Sequence, residues 1–587
     1  MGRVTAHRGP DGHGAYCQGG VSLGHNRLSI IDLSAAGAQP MQSGDSSLVV
    51  TFNGEIYNFQ ELRQELRDYP FKSKTDTEVI LAAYRAWGAD AFRRLSGMFA
   101  LALWDARTRE LILARDTSGI KPLYYHFDGA RLIFSSEIKA LLEHPIERVL
   151  DAQALGHYLR VGYVPAPLTM LKGVSKLEPG HLLVYKDGKI ELRPFGEKPQ
   201  TSGPAPADRE IREAAQQAVA RQLVSDRPVG IYLSGGLDSS IVLSCATAAH
   251  GSLDTFSIDF ALPTGHPRQA TFSADAQLAR RTAALFGARH HEVSFSADDA
   301  ARLFDEMLWH LDEPVGNPTC LPMLHLGAFA KQKVAVVLGG DGGDELFGGY
   351  ERYRLSLWAS YYRHLPDFAR KLGGSNPTLR KLNTAPGIER FAQFMFQKDA
   401  EVARVLKAPL AAESSRFFKE RFFEPVAADF ETQFMDADRR SWLVDECLAR
   451  TDKMSMASGL EVRVPLLDDT LVALAARLPR RRKVGLFETK RALRSAFRGH
   501  LPEYLFNQPK RGWFAPGGEW VKGGAFGRLA DEVLSSSYYP GSATIIDWDE
   551  VRVMLERHRS GAEYHMVMLW MLIVLQGWMK KFNVKEA

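Results

Sequence analysis

The sequence predicts two unlike halves: an α+β N-terminal domain of stacked sheets, then an α/β domain with a parallel, helix-covered sheet and a helical C-terminal part. Three observations carry this. Short apolar runs separated by turns fill residues 1–195, and a stretch rich in Pro, Gly, Ser and Ala follows from Gly196 to Asp208. Beyond it, apolar strands alternate with helical segments, and past about residue 350 the pattern is helical to the end. The expected division is therefore 1–195, a linker at 196–208, and 209–587.

In the first half, β-like runs fall at Leu28 to Leu33, Leu48 to Phe52, Phe99 to Trp104, Leu111 to Ala114, Leu132 to Phe134 and Leu182 to Tyr185. Apolar residues at helical intervals mark helices near Asn58 to Arg67 and Thr77 to Trp87. In the second half, Val229 to Leu233, Thr255 to Ile258 and Val334 to Leu338 read as strands, and Asp275 to Phe286 as a helix. The apolar run Met566 to Leu575 is about half of the roughly 20 residues that span a bilayer, so it reads as a buried helix.

Composition narrows the function. A net charge of +4 over 587 residues gives no electrostatic footprint for nucleic acid. The Arg480 to Lys483 cluster reads as a solvated helix end or loop. Four cysteines, Cys17, Cys245, Cys320 and Cys447, have no CxxC spacing, which argues against a zinc site or a disulfide framework and for a reducing cytoplasm. No secretory signal or membrane span is recognisable.

The densest chemistry is Ser234-Gly235-Gly236-Leu237-Asp238-Ser239-Ser240, which joins the Val229 to Leu233 run to Ile241-Val242-Leu243. A strand, a tight glycine turn and a helix start suit phosphate binding, because backbone N–H groups and small hydroxyls meet the anion. A plain β-turn-α connection with a serine cap is the other reading of SGG alone; the seven residues together favour phosphate. Neither GxxxxGK[ST] nor its lysine is present, so this is no Walker loop. A second loop, Gly339-Gly340-Asp341-Gly342-Gly343-Asp344-Glu345, follows a strand and packs acidic residues among glycines. Such carboxylates can share a magnesium ion with phosphate oxygens. In the first half, His7-Arg8-Gly9-Pro10-Asp11-Gly12, Arg27 to Asp32, Asn53-Gly54-Glu55 and Ser73 to Glu78 place Arg, Asn and acidic residues beside glycine. An Arg can clamp a carboxylate, an acidic residue an ammonium, and an Asn with a Gly N–H an oxyanion.

These blocks, in this order and over almost the whole chain, resemble the glutamine-hydrolysing asparagine synthetase family. The resemblance implies an N-terminal-nucleophile (Ntn) hydrolase sandwich, a class II glutamine amidotransferase, followed by an adenine-nucleotide α-hydrolase domain of the PP-loop type. It implies that Arg27, Asn53, Glu55 and Asp76 hold glutamine, with Asn53 and Gly54 as oxyanion hole. It further implies ATP contacts from Leu233, Ser234, Gly235, Gly236, Asp238, Ser239, Ile258, Gly339 and Gly340, magnesium on Asp238 and Asp344, Asp341 near an acyl-adenylate, and Lys510 stabilising the adenylation transition state. ATP and Mg2+ are then the cofactors. Glutamine and aspartate, or another carboxylate, are the partners, and a homodimer is possible. The implied reaction converts aspartate to asparagine and releases AMP and pyrophosphate.

Four features bear on detail. The family nucleophile is a cysteine at the mature N-terminus whose α-amine serves as base, whereas here HRGPD begins at His7 behind Met-Gly-Arg-Val-Thr-Ala. Cys17 is internal and reads as structural. The expectation is a late-called start of a complete gene; the alternatives are a glutaminase-dead variant using free ammonia or a protein whose first domain only regulates or scaffolds. Charged residues in Thr451 to Ala457 and Leu460 to Asp468 divide evenly between buried pairing and, by resemblance, walls of the acceptor site. Lys490 reads as a basic loop residue. Gly339 stands where relatives often carry Ser or Thr, so a backbone contact to ATP would survive there and a hydroxyl contact would not. Asn317, near Glu313, stands where relatives often carry Asp, so acceptors other than aspartate, in surface-polysaccharide or natural-product pathways, stay open.

Overall fold

A computed structural model describes all residues except 197–198, 367–369, 371–376, 409–412, 424–428, 509–511 and 587. The first half is built on a six-stranded sheet of β3 (Met41–Gln42), β4 (Leu48–Ile56), β5 (Gly97–Asp105), β6 (Glu110–Arg115), β10 (His181–Lys186) and β11 (Lys189–Pro194). Their order is β11-β10-β6-β5-β4-β3, antiparallel throughout. Strand alternation sends side chains to two faces. Val50, Phe52, Leu101, Leu103 and Ile112 pack against helix α1 (Thr77–Trp87). Val49, Ala100, Ala102, Trp104, Leu111 and Leu113 pack the opposite way. That opposite core includes Leu23 of the hairpin β1 (Gly12–Gln18) and β2 (Val21–Arg27). It also includes Tyr125 of a three-stranded sheet made from β7 (Tyr124–Phe127), β8 (Leu132–Ser135) and β9 (Val174–Lys176). Both faces of the large sheet are thus covered, which makes a sandwich.

The second half holds a five-stranded parallel sheet, β12 (Val229–Tyr232), β13 (Asp254–Phe260), β14 (Arg289–Phe295), β15 (Val336–Leu338) and β16 (Glu461–Arg463), in the order β14-β13-β12-β15-β16. Helix α2 (Leu237–His250) connects β12 to β13. Because β13 lies on one side of β12 and β15 on the other, the strand order reverses there. That is where open α/β sheets bind ligands, outside the carboxyl ends of the strands. The apolar run near the C-terminus lies within helix α3 (Met566–Phe582), whose Leu569 to Val574 are at most 0% exposed. Among the described residues no helix is long and apolar enough to cross a membrane.

Two expectations need correction. Leu28 to Leu33 is not a strand. Its backbone is satisfied by loops instead of a ladder: Ser29 N–H donates to Asp11 at 2.8 Å, Ile30 C=O accepts from Asp226 N–H at 2.9 Å, and Ser29 C=O accepts from Arg227 at 3.1 Å. The chain beyond residue 350 is also not wholly helical, since β16 joins the sheet edge with Leu338 opposite Arg463.

Candidate active sites

Arg27, Asn53, Gly54, Glu55 and Asp76 all line one cavity of about 570 Å³, which runs between the sheets of the first half past Ala100, Ala102 and Leu123. Arg27 ends β2 and donates to the carbonyl of Ser34 at 2.8 Å. Asn53, Gly54 and Glu55 come from the end of β4, and Gly54 has φ 147°. A Cβ there would fall 1.9 Å from the Met98 carbonyl on β5, so the close strand pairing demands glycine. None of the four cysteines lines this cavity, and Cys17 is exposed on β1.

The carboxylates of this cavity are buried. Asp76 accepts the Ile56 N–H at 2.8 Å and the Thr75 hydroxyl at 3.1 Å, yet burial, aided by the charge of Glu461, pushes its pKa up to about 6. Glu55 is pushed up by burial and by Asp76. Its counter-ion comes from the second half: the fully buried Arg463 pairs with Glu55 at 3.0 Å and Glu461 at 2.9 Å. The same guanidinium donates to the carbonyls of Gln222 and Val224, and the Arg463 carbonyl accepts the Gly339 N–H at 2.8 Å. One residue therefore touches a carboxylate of the cavity and the loop after β15.

At the switch point, the Ser234–Ser240 turn follows β12, and Gly236 caps α2 without a side-chain bond. Ser234 and Ser239 face each other with their hydroxyls 3.1 Å apart, and Ser234 N–H donates to Ser239 at 3.3 Å. Leu233 is buried beside the turn, and Ile258 lies buried on β13. The acidic loop presses against this turn: a Cβ on Gly340 would lie 3.0 Å from the Ser239 nitrogen and 3.1 Å from the Asp238 Cβ. Asp238 and Asp344, distant in sequence, are brought to one ammonium, that of Lys490. Asp238 Oδ1 is buried without a hydrogen-bond partner. A hard-oxygen pair with one spare buried oxygen fits magnesium, which takes one or two carboxylates and completes its shell with water and phosphate. Among the described residues no larger acidic, His or Cys cluster competes for a metal.

Asp341 lies near Gly339, and burial raises its pKa against the opposing charge of Arg450. Arg450 donates to Glu446 at 2.8 Å, and Glu446 accepts from Asn317 at 2.7 Å. Asn317, Glu446 and Arg450 thus form one wall near Asp341, whereas Glu313 pairs with Lys176 of the first half at 2.8 Å. The wall depends on a π-helical turn, Leu443–Leu448, leading into the helix Ala449–Met456. Buried pairing is what the Thr451 to Ala457 charges do. Asp452 holds Arg8 at 2.8 Å and Lys121 at 3.2 Å, and Lys453 pairs with Asp312. Reasoning from sequence did not single out Glu446 or Arg450 and read Lys490 only as a basic loop residue; Arg463 fell in the Leu460 to Asp468 stretch, whose buried pairing it bears out, but its partner Glu55 was not foreseen. Lys510 lies outside the described residues.

Residues 210–580 match the asparagine synthase family and residues 1–196 a glutamine amidotransferase domain. A putative glutamine-hydrolysing asparagine synthetase of Mycobacterium tuberculosis is 34% identical over 98% of this chain and 92% of its own length. Asparagine synthetase 1 of Bacillus subtilis is 32% identical with the same coverages. The amidase chyE of Penicillium rubens is 27% identical over 94% of this chain and 89% of its own. Fold and sequence together define a ligase that forms a carbon–nitrogen bond at the expense of ATP, a glutamine amidotransferase domain followed by a synthase domain built on a parallel sheet. The chain belongs to the asparagine synthase family.

Proposed function

We propose that the chain amidates aspartate to asparagine through an acyl-adenylate, with glutamine or ammonia as nitrogen donor, in two working units divided at the 196–208 linker. The observation that carries this reading is the convergence of the Ser234–Ser240 turn and the Gly339–Asp344 loop at the sheet's switch point, with Asp238 and Asp344 beside each other. Backbone N–H groups of the turn and the hydroxyls of Ser234 and Ser239 are arranged to bind pyrophosphate oxygens, while Leu233, Ile258, Gly339 and Gly340 border the nucleoside. Asp238 and Asp344 would hold magnesium, which neutralises phosphate charge and eases departure of pyrophosphate.

The acceptor lies against Asp341, with Arg450 the cation nearest a substrate carboxylate and Asn317 and Glu446 shaping the wall. Lys510 stabilises charge on the adenylation transition state. Glutamine sits in the inter-sheet cavity, its carboxylate on Arg27, its ammonium near Asp76 and Glu55, and its amide at the oxyanion hole of Asn53 and Gly54. Burial favours a proton on Asp76 and Glu55, which a bound ammonium there would replace. The enzyme works in the cytoplasm as a homodimer.

The second reading, amidation of a different carboxylate, is favoured by Asn317 and by the amidase-named fungal relative. The test is to incubate the purified protein with MgATP, ammonium or glutamine, and either aspartate or a panel of other carboxylates. Asparagine with AMP and pyrophosphate supports the first reading. AMP formed only with another carboxylate replaces aspartate and leaves adenylation standing, whereas ADP and phosphate would overturn both.

A further inference from the structure

The two carboxylates assigned above to magnesium already share a cation. Lys490 Nζ lies 2.7 Å from Asp344 Oδ1 and makes a still shorter pair with Asp238 Oδ2, and its side chain is only 4% exposed. The backbone is bent to deliver it. Lys490 has φ 54°, a left-handed conformation that costs an L-residue free energy, and it stands just before the helix Arg491–Phe497. Room is kept for the bridge at Gly349, where a Cβ would fall 1.8 Å from Asp344 Oδ1 and 2.1 Å from Lys490 Cε.

The arrangement is a carboxylate–ammonium–carboxylate triad of net charge −1 with one oxygen to spare, Asp238 Oδ1. A divalent cation arriving alone finds its two strongest ligands neutralised and a like charge between them. In a poorly solvated site that repulsion is not screened. Nucleotide phosphates alter the balance, because they supply anionic oxygens to both cations at once.

We propose that Lys490 is the resting-state counter-ion of the Asp238–Asp344 pair and bars a free divalent cation, so that the metal enters only with the nucleotide. The proposal rests on the reading of Asp238 and Asp344 as metal ligands. It makes Lys490 a positioning residue that holds two mutually repelling carboxylates together until the nucleotide arrives. It also fixes an order of binding that activity alone would not reveal.

The experiment is Mn2+ binding to the full chain, followed by electron paramagnetic resonance, with and without a non-hydrolysable ATP analogue. Wild type should bind Mn2+ strongly only with the analogue. Lys490→Gln should bind one Mn2+ without it, tighter than wild type by about 10- to 100-fold, and Asp238→Asn added to that variant should remove the gain. Lys490→Arg, which keeps the charge, should stay closed. Wild type binding Mn2+ alone as tightly as Lys490→Gln would overturn the proposal. If Lys490→Gln does not fold, tight binding of Mn2+ to nucleotide-free wild type overturns it by itself. Mn2+ binding with the analogue that survives both Asp238→Asn and Asp344→Asn would instead overturn the metal assignment beneath it.

Discussion

The inter-sheet cavity and the nucleotide turn hold their acidic residues in opposite ways. In the cavity, Asp76 and Glu55 are buried, and burial draws them toward the protonated form, with Arg463 of the other half pairing with Glu55. At the turn, Asp238 and Asp344 are closed on a lysine, and the hydroxyls of Ser234 and Ser239 face each other. The first pair of acids lines a cavity, whereas the second is closed on an ammonium of the same half. Buried acids can be tolerated in either of two ways, by holding a proton or by pairing with a cation, and the two sites differ in which they use.

The largest expected effect separates the two sites outright. Asp344→Asn should lower ammonium-driven amidation by about a thousandfold, measured as pyrophosphate release, while Asn53→Ala should leave that ammonium-driven rate within about twofold. Equal losses would mean that the sites do not work independently. Next in size is Arg463→Met, which strands Glu55 and Glu461 as buried, unpaired acids. It should cost about 3–5 kcal/mol in urea unfolding at pH 7, because removing one partner of a buried pair leaves the other uncompensated.

A smaller effect tests the protonation of the cavity. The pKa of Asp76 is raised from 3.8 to about 6 on folding, so its contribution to stability is fully present below about pH 4 and is lost as pH rises through 6. Asp76→Asn should therefore stabilise the protein at pH 8, by up to about 3 kcal/mol, and change little at pH 4. Thermal unfolding at the two pH values reads this, and equal shifts at both would refute the raised pKa. Smallest of all, Cys17→Ser on the exposed face of β1 should alter neither unfolding, beyond about 0.5 kcal/mol, nor ammonium-driven turnover.

Much of this was legible in the sequence because it is local. The turn after β12, the acidic loop after β15 and helix α1 at Thr77–Trp87 follow from patterns a few residues long. What was not legible depends on distant partners. Leu28 to Leu33 has strand composition, but Asp226 and Arg227 take its backbone bonds. The polar β14, with His290, His291 and Glu292, gives no apolar signal, and the three residues of β16 become a strand only because β15 lies beside them. The site behaved likewise. Arg27, Asn53, Glu55 and Asp76 could be named from their motifs, and the structure gathers them in one cavity. The pairing of Arg463 with Glu55 joins the two halves, and that of Lys490 with Asp238 joins residues far apart within the second; no local pattern connects either pair.

The central claim is that the two loops at the switch point activate a carboxylate as its adenylate. The most direct measurement uses aspartate labelled with 18O in its side-chain carboxylate, together with MgATP and ammonium, and reads the phosphorus products by mass spectrometry. Attack of that carboxylate on the α-phosphate, followed by attack of ammonia on the acyl carbon, leaves one labelled oxygen on AMP and none on pyrophosphate. Label in inorganic phosphate accompanied by ADP would show an acyl-phosphate route and contradict the account.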